Sequence, residues 1–267
     1  MRRCKYPPVP LRVRSRTLYT SPIDSVKISD ELLIPAGRHT LLPDEVSARQ
    51  RERLLRAMGS CVSTQGYTET TIADLVRVAR TSRSVFYKHF ADKEECFLET
   101  YRQMTEIRIK ASLEAAAVEP EWQAKLDVGI ATYFRWMAEH PEVAVTTVVE
   151  VHAAGRRALE ARSRALQDWM RTIEGVAVLA RRGGAAVELD EAAYAAIIVT
   201  AEAYVHEYAL RGCLDRVVEK APGVQALARS LFEHGAVSPA GSRSPTAAHS
   251  SPRISPSETG AHLEDEL

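Results

Sequence analysis

Residues 81–95, TSRSVFYKHFADKEE, place three rings (Phe86, Tyr87, Phe90), three cations (Arg83, Lys88, Lys93) and His89 in one short run of a chain that is only 6% aromatic. Hydroxyl, ammonium and guanidinium groups gathered this way suit phosphate oxygens and base edges. Bond-making chemistry finds no comparable support. His206-Glu207 opens like the zinc-protease pattern H-E-x-x-H, but its last position is Leu210, so the second ligand is missing. Glu150 and His152 are two apart and point away from each other on a helix. G-x-S-x-G, P-loop and G-x-G-x-x-G patterns are absent. No catalytic residue, metal or cofactor is expected, and the chain reads as a non-enzyme.

The net charge of zero conceals a division. Residues 1–93 carry a net charge of +8 and the remainder −8, so the first part is suited to a polyanion and the second is not. A length of 267 residues with 45% hydrophobic and 26% charged residues fits two globular domains. Cys4, Cys61, Cys96 and Cys213 are scattered, with no C-x-x-C pair, which predicts free thiols in a reducing cytoplasm. After Met1-Arg2-Arg3, the prolines and arginines between Pro7 and Arg16 interrupt any apolar run, so export is not expected. The longest apolar stretch, residues 192–210, contains Glu202, His206 and Glu207, which predicts a buried helix and no membrane partner.

Every periodic segment is helical. In residues 47–66, Leu54, Leu55, Met58, Cys61 and Val62 recur at three and four, with Gly66 placed to end the helix. In 71–79, Ile72, Leu75, Val76 and Ala79 form one face, and Thr71 with Asp74 is spaced as a capping box. A short helix near 82–89 feeds a long one started by Asp92, with Glu95 completing a second box. Further helices are expected over about 121–140, from Pro141 to Gly155, and over 156–181, 189–211 and 222–234; only the β-branched run VAVTTVVEV (143–151) leaves room for a strand. Residues 1–43 read as a flexible basic arm, and 236–267, rich in Ser and Pro, as a disordered tail.

Two short helices joined by a tight turn and braced by longer ones describe a helix-turn-helix. Its second helix must keep one face in the core and offer the other to the DNA major groove. Phe86 and Phe90 are four apart and fall over the Ile72, Leu75, Val76 side, leaving Arg83, Ser84, Tyr87 and Lys88 on other faces.

The run TTIADLVRVARTSRSVFYKHFADKEECFLETY resembles the DNA-binding domain of the TetR (AcrR-like) family of bacterial transcriptional regulators. Its most specific part is Phe86-Tyr87-Lys88-His89-Phe90-Ala91-Asp92-Lys93-Glu94-Glu95. The resemblance implies an all-α protein: a helix-turn-helix domain (44–95), then a helical ligand-binding and dimerisation domain (96–235). It implies that Tyr87 and Lys93 bind phosphate, with Thr71 adding a hydroxyl or backbone N–H contact. Ser82, Arg83, Ser84, Val85 and Lys88 then face the groove, Arg83 suited to guanine and Val85 to a thymine methyl. The turn departs from the family's Ala-Gly-Val-Ser: it reads Ala79-Arg80-Thr81-Ser82. Either the turn differs in detail or Arg80 adopts a strained positive φ.

The implied partners are a double-stranded palindromic operator, a second copy of the chain and a small-molecule effector that releases a repressor from DNA. A nonspecific nucleic-acid packaging protein is the alternative. Candidate effector contacts are Tyr133, Phe134, Met137, Val148, His152, Trp169 and Tyr204, which mix apolar bulk with polar tips. For the homodimer, Ala192, Ala193, Ala196 and Ala203 allow close helix approach beside the amphipathic helix 156–181, with Leu159, Leu166, Trp169, Ile173 and Leu179.

Overall fold

In the computed structural model, residues 42–183 and 188–235 are described; the expected arm, up to residue 41, and tail, from 236, lie outside them. The order is α1 (Pro43–Gln65), α2 (Ile72–Val78), α3 (Arg83–His89), α4 (Lys93–Ala117), α5 (Trp122–Glu139), α6 (Pro141–Ala144), α7 (Arg156–Arg182), α8 (Glu191–Leu210) and α9 (Ala221–His234). No strand occurs among the described residues. The β-branched run continues α6 as a π-helical turn (Val145–Val149) and a 3-10 turn (Glu150–His152). There Thr147 Oγ1 donates to the Val143 carbonyl at 2.8 Å, a side-chain bond that competes with the regular α ladder. A second 3-10 segment, Leu214–Lys220, follows α8 without a sequence expectation.

The helix starts are chemically explicit. Thr71 and Asp74 form the expected reciprocal box on α2. Asp92 accepts from the Glu95 N–H at 2.7 Å, while Glu95 reaches one residue further back than expected, to the Ala91 N–H at 2.6 Å. Ser82 caps α3 by accepting from the Val85 N–H at 3.2 Å. Gly66 ends α1 at φ 85°.

The turn between α2 and α3 resolves the alternatives left by Arg80. Thr81 N–H donates to the Val76 carbonyl at 2.9 Å and Arg80 N–H to that of Arg77 at 3.2 Å, the paired closure of a Schellman motif. Arg80 therefore occupies the seat that glycine usually fills, at φ 49°. Arg80→Gly should raise unfolding free energy by about 0.5–1 kcal/mol, since relief of the left-handed strain exceeds glycine's entropic cost. Urea denaturation of the two proteins checks this.

The helices enclose two cores. The first joins α1 to α4: Leu54, Leu55, Met58, Cys61 and Val62 are buried with Leu75, Val78, Phe86, Phe90 and Phe97. Val78 is buried where Val76 was expected, Val76 being only partly covered. Burial pushes the Cys61 thiol up to about 12 and raises that of Cys96, so both are packing groups. The second core is built from α5, α8, α9 and the segments between them, around Phe134, Met137, Ile197, Val205 and Phe232. Helix α4 crosses the expected division at 95/96 and packs against both α1 and α5. No helix among the described residues is long and apolar enough to cross a membrane.

Candidate nucleic-acid interface and ligand cleft

Helix α3 has only seven residues and gains its position from packing. Phe86 is fully buried and Phe90 nearly so, their centroids 5.7 Å apart. Arg83, Ser84, Tyr87 and Lys88 are exposed, as is the cap Ser82, and Val85 is half-buried. Tyr87 stands edge-on to Phe86 at 5.4 Å and is 58% exposed, so one side of the ring is held while the rest meets solvent. The rings thus divide into a mount and a projecting hydroxyl.

Lys93 is more constrained than its charge suggested. Its ammonium donates to the Tyr67 carbonyl at 2.9 Å and sits 4.2 Å from the centre of the Tyr67 ring. Burial lowers its pKa, an effect that the charge of Glu69 opposes. An ammonium has three donors, so two are left for an oxyanion at the start of α4. Thr71 differs more. Its hydroxyl donates to Asp74 Oδ2 at 2.6 Å, and its N–H reaches the same oxygen at 3.1 Å. Both expected phosphate donors are engaged in the cap.

Between α4, α5, α7 and α8 lies a cleft of about 90 Å³, mostly apolar, with Leu126, Ile130, Ile173 and Val176 on its walls. Of the seven candidate contacts, Tyr133 and Trp169 line it. Phe134, Met137 and Val148 are spent in the core, because bulky apolar groups fill space. His152 is exposed on the 3-10 turn, and Tyr204 packs near the Lys220 ammonium at 5.7 Å. Space exists where side chains are small: Gly129, Ala116 and Ala201 border it.

The sequence reading missed the polar residues beside this cleft. Along α4, Tyr101, Thr105, Arg108 and Ser112 are all buried. Their spacing of three and four continues the face begun by Phe97, a signal available in the sequence. Arg108 is 1% exposed, with its guanidinium 5.4 Å from the Tyr133 ring centre and 5.7 Å from that of Trp169. Glu202, also buried, pairs with Arg162 of α7.

Residues 54–100 match the family model described as bacterial regulatory proteins, tetR family. No curated protein sequence matches the chain. Among solved structures, the fatty acid degradation regulator FadR from Bacillus halodurans is similar at a TM-score of 0.63 and 14% identity, over 71% of this chain and 96% of that one. FadR from Bacillus subtilis, solved in complex with stearoyl-CoA, is similar at 0.60 and 16%, over 69% and 98%. A TetR-family regulator from Syntrophomonas wolfei gives 0.58 and 17%, over 71% and 98%. The chain thus carries the helix-turn-helix of the tetR family of bacterial regulatory proteins, on the all-helical fold of TetR-family transcriptional regulators.

Proposed function

We propose that the protein is a sequence-specific repressor that grips a palindromic operator as a homodimer and is released by a small molecule bound among α4, α5, α7 and α8. One observation carries the reading: Arg83, Ser84, Tyr87 and Lys88 form an exposed polar face on a short helix whose other face is fixed by Phe86 and Phe90. Groove-facing Arg83 reads bases, whereas Tyr87 and Lys93 hold phosphates and set register.

Two further features support the reading. On α8, Ala192, Ala196, Val199 and Ala203 are exposed at spacings of three and four, a stripe suited to close approach by a second copy, though Ala193 lies in the core of its own subunit. Leu159 and Leu179 of α7 are exposed as well. The segment after α6 also touches the first core: Glu150 accepts from the Tyr67 N–H at 2.8 Å, and Val151 is fully buried there. Tyr67 in turn holds Lys93. Displacement of α8, which packs on that segment, therefore has a packed route to Lys93 at the start of α4. The stearoyl-CoA complex of the Bacillus subtilis regulator is a precedent for ligand binding on this fold. A cytoplasmic location follows from this role.

The test is titration of DNA fragments selected from the source genome, read by fluorescence anisotropy. Two chains should bind each site, far more tightly than random duplex. Arg83→Ala should relax preference at one base position, costing about 1–3 kcal/mol, and Lys93→Ala should weaken binding to all sequences and reduce the salt slope by about one. Equal affinity for selected and random duplex would instead favour the packaging role.

A further inference from the structure

We propose that the cleft takes an amphipathic monocarboxylate, its carboxylate bound by Arg108 and its hydrocarbon tail on the apolar walls. The assignment rests on the reading of this cleft as an effector site and names the effector's chemical class.

Arg108 is the most deeply buried charged residue of α4, and its Nε and Nη1 have no hydrogen-bond partner. No carboxylate among the described residues lies within ion-pair distance of it; the nearby acid, Glu202, is bound to Arg162. The rings of Tyr133 and Trp169 offset part of its desolvation, but a π face is a weak acceptor and supplies no negative charge. A buried guanidinium without an anion is costly and calls for a counter-charge.

Arg162 and Glu202 are already paired with each other, so of the charges that act on the Tyr133 phenol only the Arg108 guanidinium is left without an anion, and one negative charge would complete it. Burial raises the Tyr133 phenol, which keeps its proton and remains a donor. Its hydroxyl and the Ser112 Oγ are likewise buried without partners. Ser112 stands one turn beyond Arg108, and Ser112, Tyr133, Trp169 and Glu202 all border the cleft. One planar fork and two hydroxyl donors match a carboxylate. Leu113, Ile173, Val176 and Ile197 supply the apolar walls, while the Lys125 ammonium, also on the lining, donates to the Ala116 and Ala117 carbonyls at the end of α4.

Calorimetric titration of the full chain with saturated carboxylates from hexanoate to dodecanoate, and with the matching alcohols, tests the assignment. At least one carboxylate should bind wild type, and more tightly than its alcohol. Arg108→Met should weaken that carboxylate roughly ten- to a hundredfold while leaving the alcohol unchanged. Arg108→Lys should retain part of the preference. In the absence of ligand, Arg108→Met should melt no lower than wild type, because an unpaired buried charge has been replaced by an apolar chain. The assignment is overturned if wild type binds none of the carboxylates, if alcohols bind as well, or if Arg108→Met keeps the preference. Tyr133→Phe offers a second check, losing more affinity for the carboxylate than for the alcohol. A carboxylate that binds through Arg108 without loosening operator DNA supports this site and overturns the release mechanism.

Discussion

Phe86→Ala should cost about 3–5 kcal/mol of stability and abolish DNA binding, whereas Tyr87→Ala, its sequence neighbour, should cost less than about 1 kcal/mol of stability and weaken binding only through the lost phosphate contact. The two rings are adjacent and similar in size, but Phe86 is fully buried and Tyr87 is 58% exposed. Helix α3 has seven residues, too few for local hydrogen bonding to sustain it. The Ser82 cap contributes on the order of 1 kcal/mol, which does not offset the ordering of seven residues. What holds α3 is the insertion of Phe86 beside Leu75, Val78 and Phe90, and truncation there leaves a cavity that the closed Schellman turn restrains from collapsing. Urea denaturation followed by far-UV circular dichroism, with operator titration in parallel, separates the effects. Similar stability losses for both variants would contradict the division of α3 into a mount and a contact face.

The same stretch explains why some of the protein is readable from sequence. Period and capping are local: Leu54 through Val62 repeat at helical spacing, and Thr71 finds Asp74 three residues away, so α1 and α2 needed no tertiary information. Arg80 was readable as a conflict because the turn imposes a positive φ on whatever residue stands there. Where sequence reasoning fell short, long-range geometry was in control. Lys93 was legible as a charge, but its engagement with Tyr67 spans 26 residues and is set by how α4 meets the end of α1. Candidate ligand contacts chosen for bulk fell into the core at Phe134 and Met137, since a cleft is defined by the small groups that fail to fill it. Arg108 carried the opposite signal. A charge in helical register with Phe97 and Tyr101 conflicts with its face, and such conflicts point to function.

Glu202→Ala should destabilise the protein by about 3 kcal/mol, more than loss of a surface ion pair would. Glu202 carries the negative charge of a cluster with two guanidiniums, and its pairing with Arg162 ties α8 to α7. Its removal leaves the Arg162 guanidinium without its partner and takes away the one carboxylate that, with Arg108 and Arg162, acts on the Tyr133 phenol, in a medium where charges are poorly screened. The cost falls at the lower end of the range for broken buried pairs because the Arg162 side chain is 25% exposed and can turn toward water. Arg108→Met in the Glu202→Ala background should recover about 1 kcal/mol or more, so the two substitutions are not additive. A bound carboxylate should do the same without mutation, raising the melting temperature of Glu202→Ala more than that of wild type, because it supplies the charge the variant lost. Additive double-mutant energies, measured by urea denaturation at neutral pH, would show that Arg108 and Glu202 do not share one electrostatic cluster. Coupling of the expected sign would tie the stability of the C-terminal helices to the anion the cleft is built to receive.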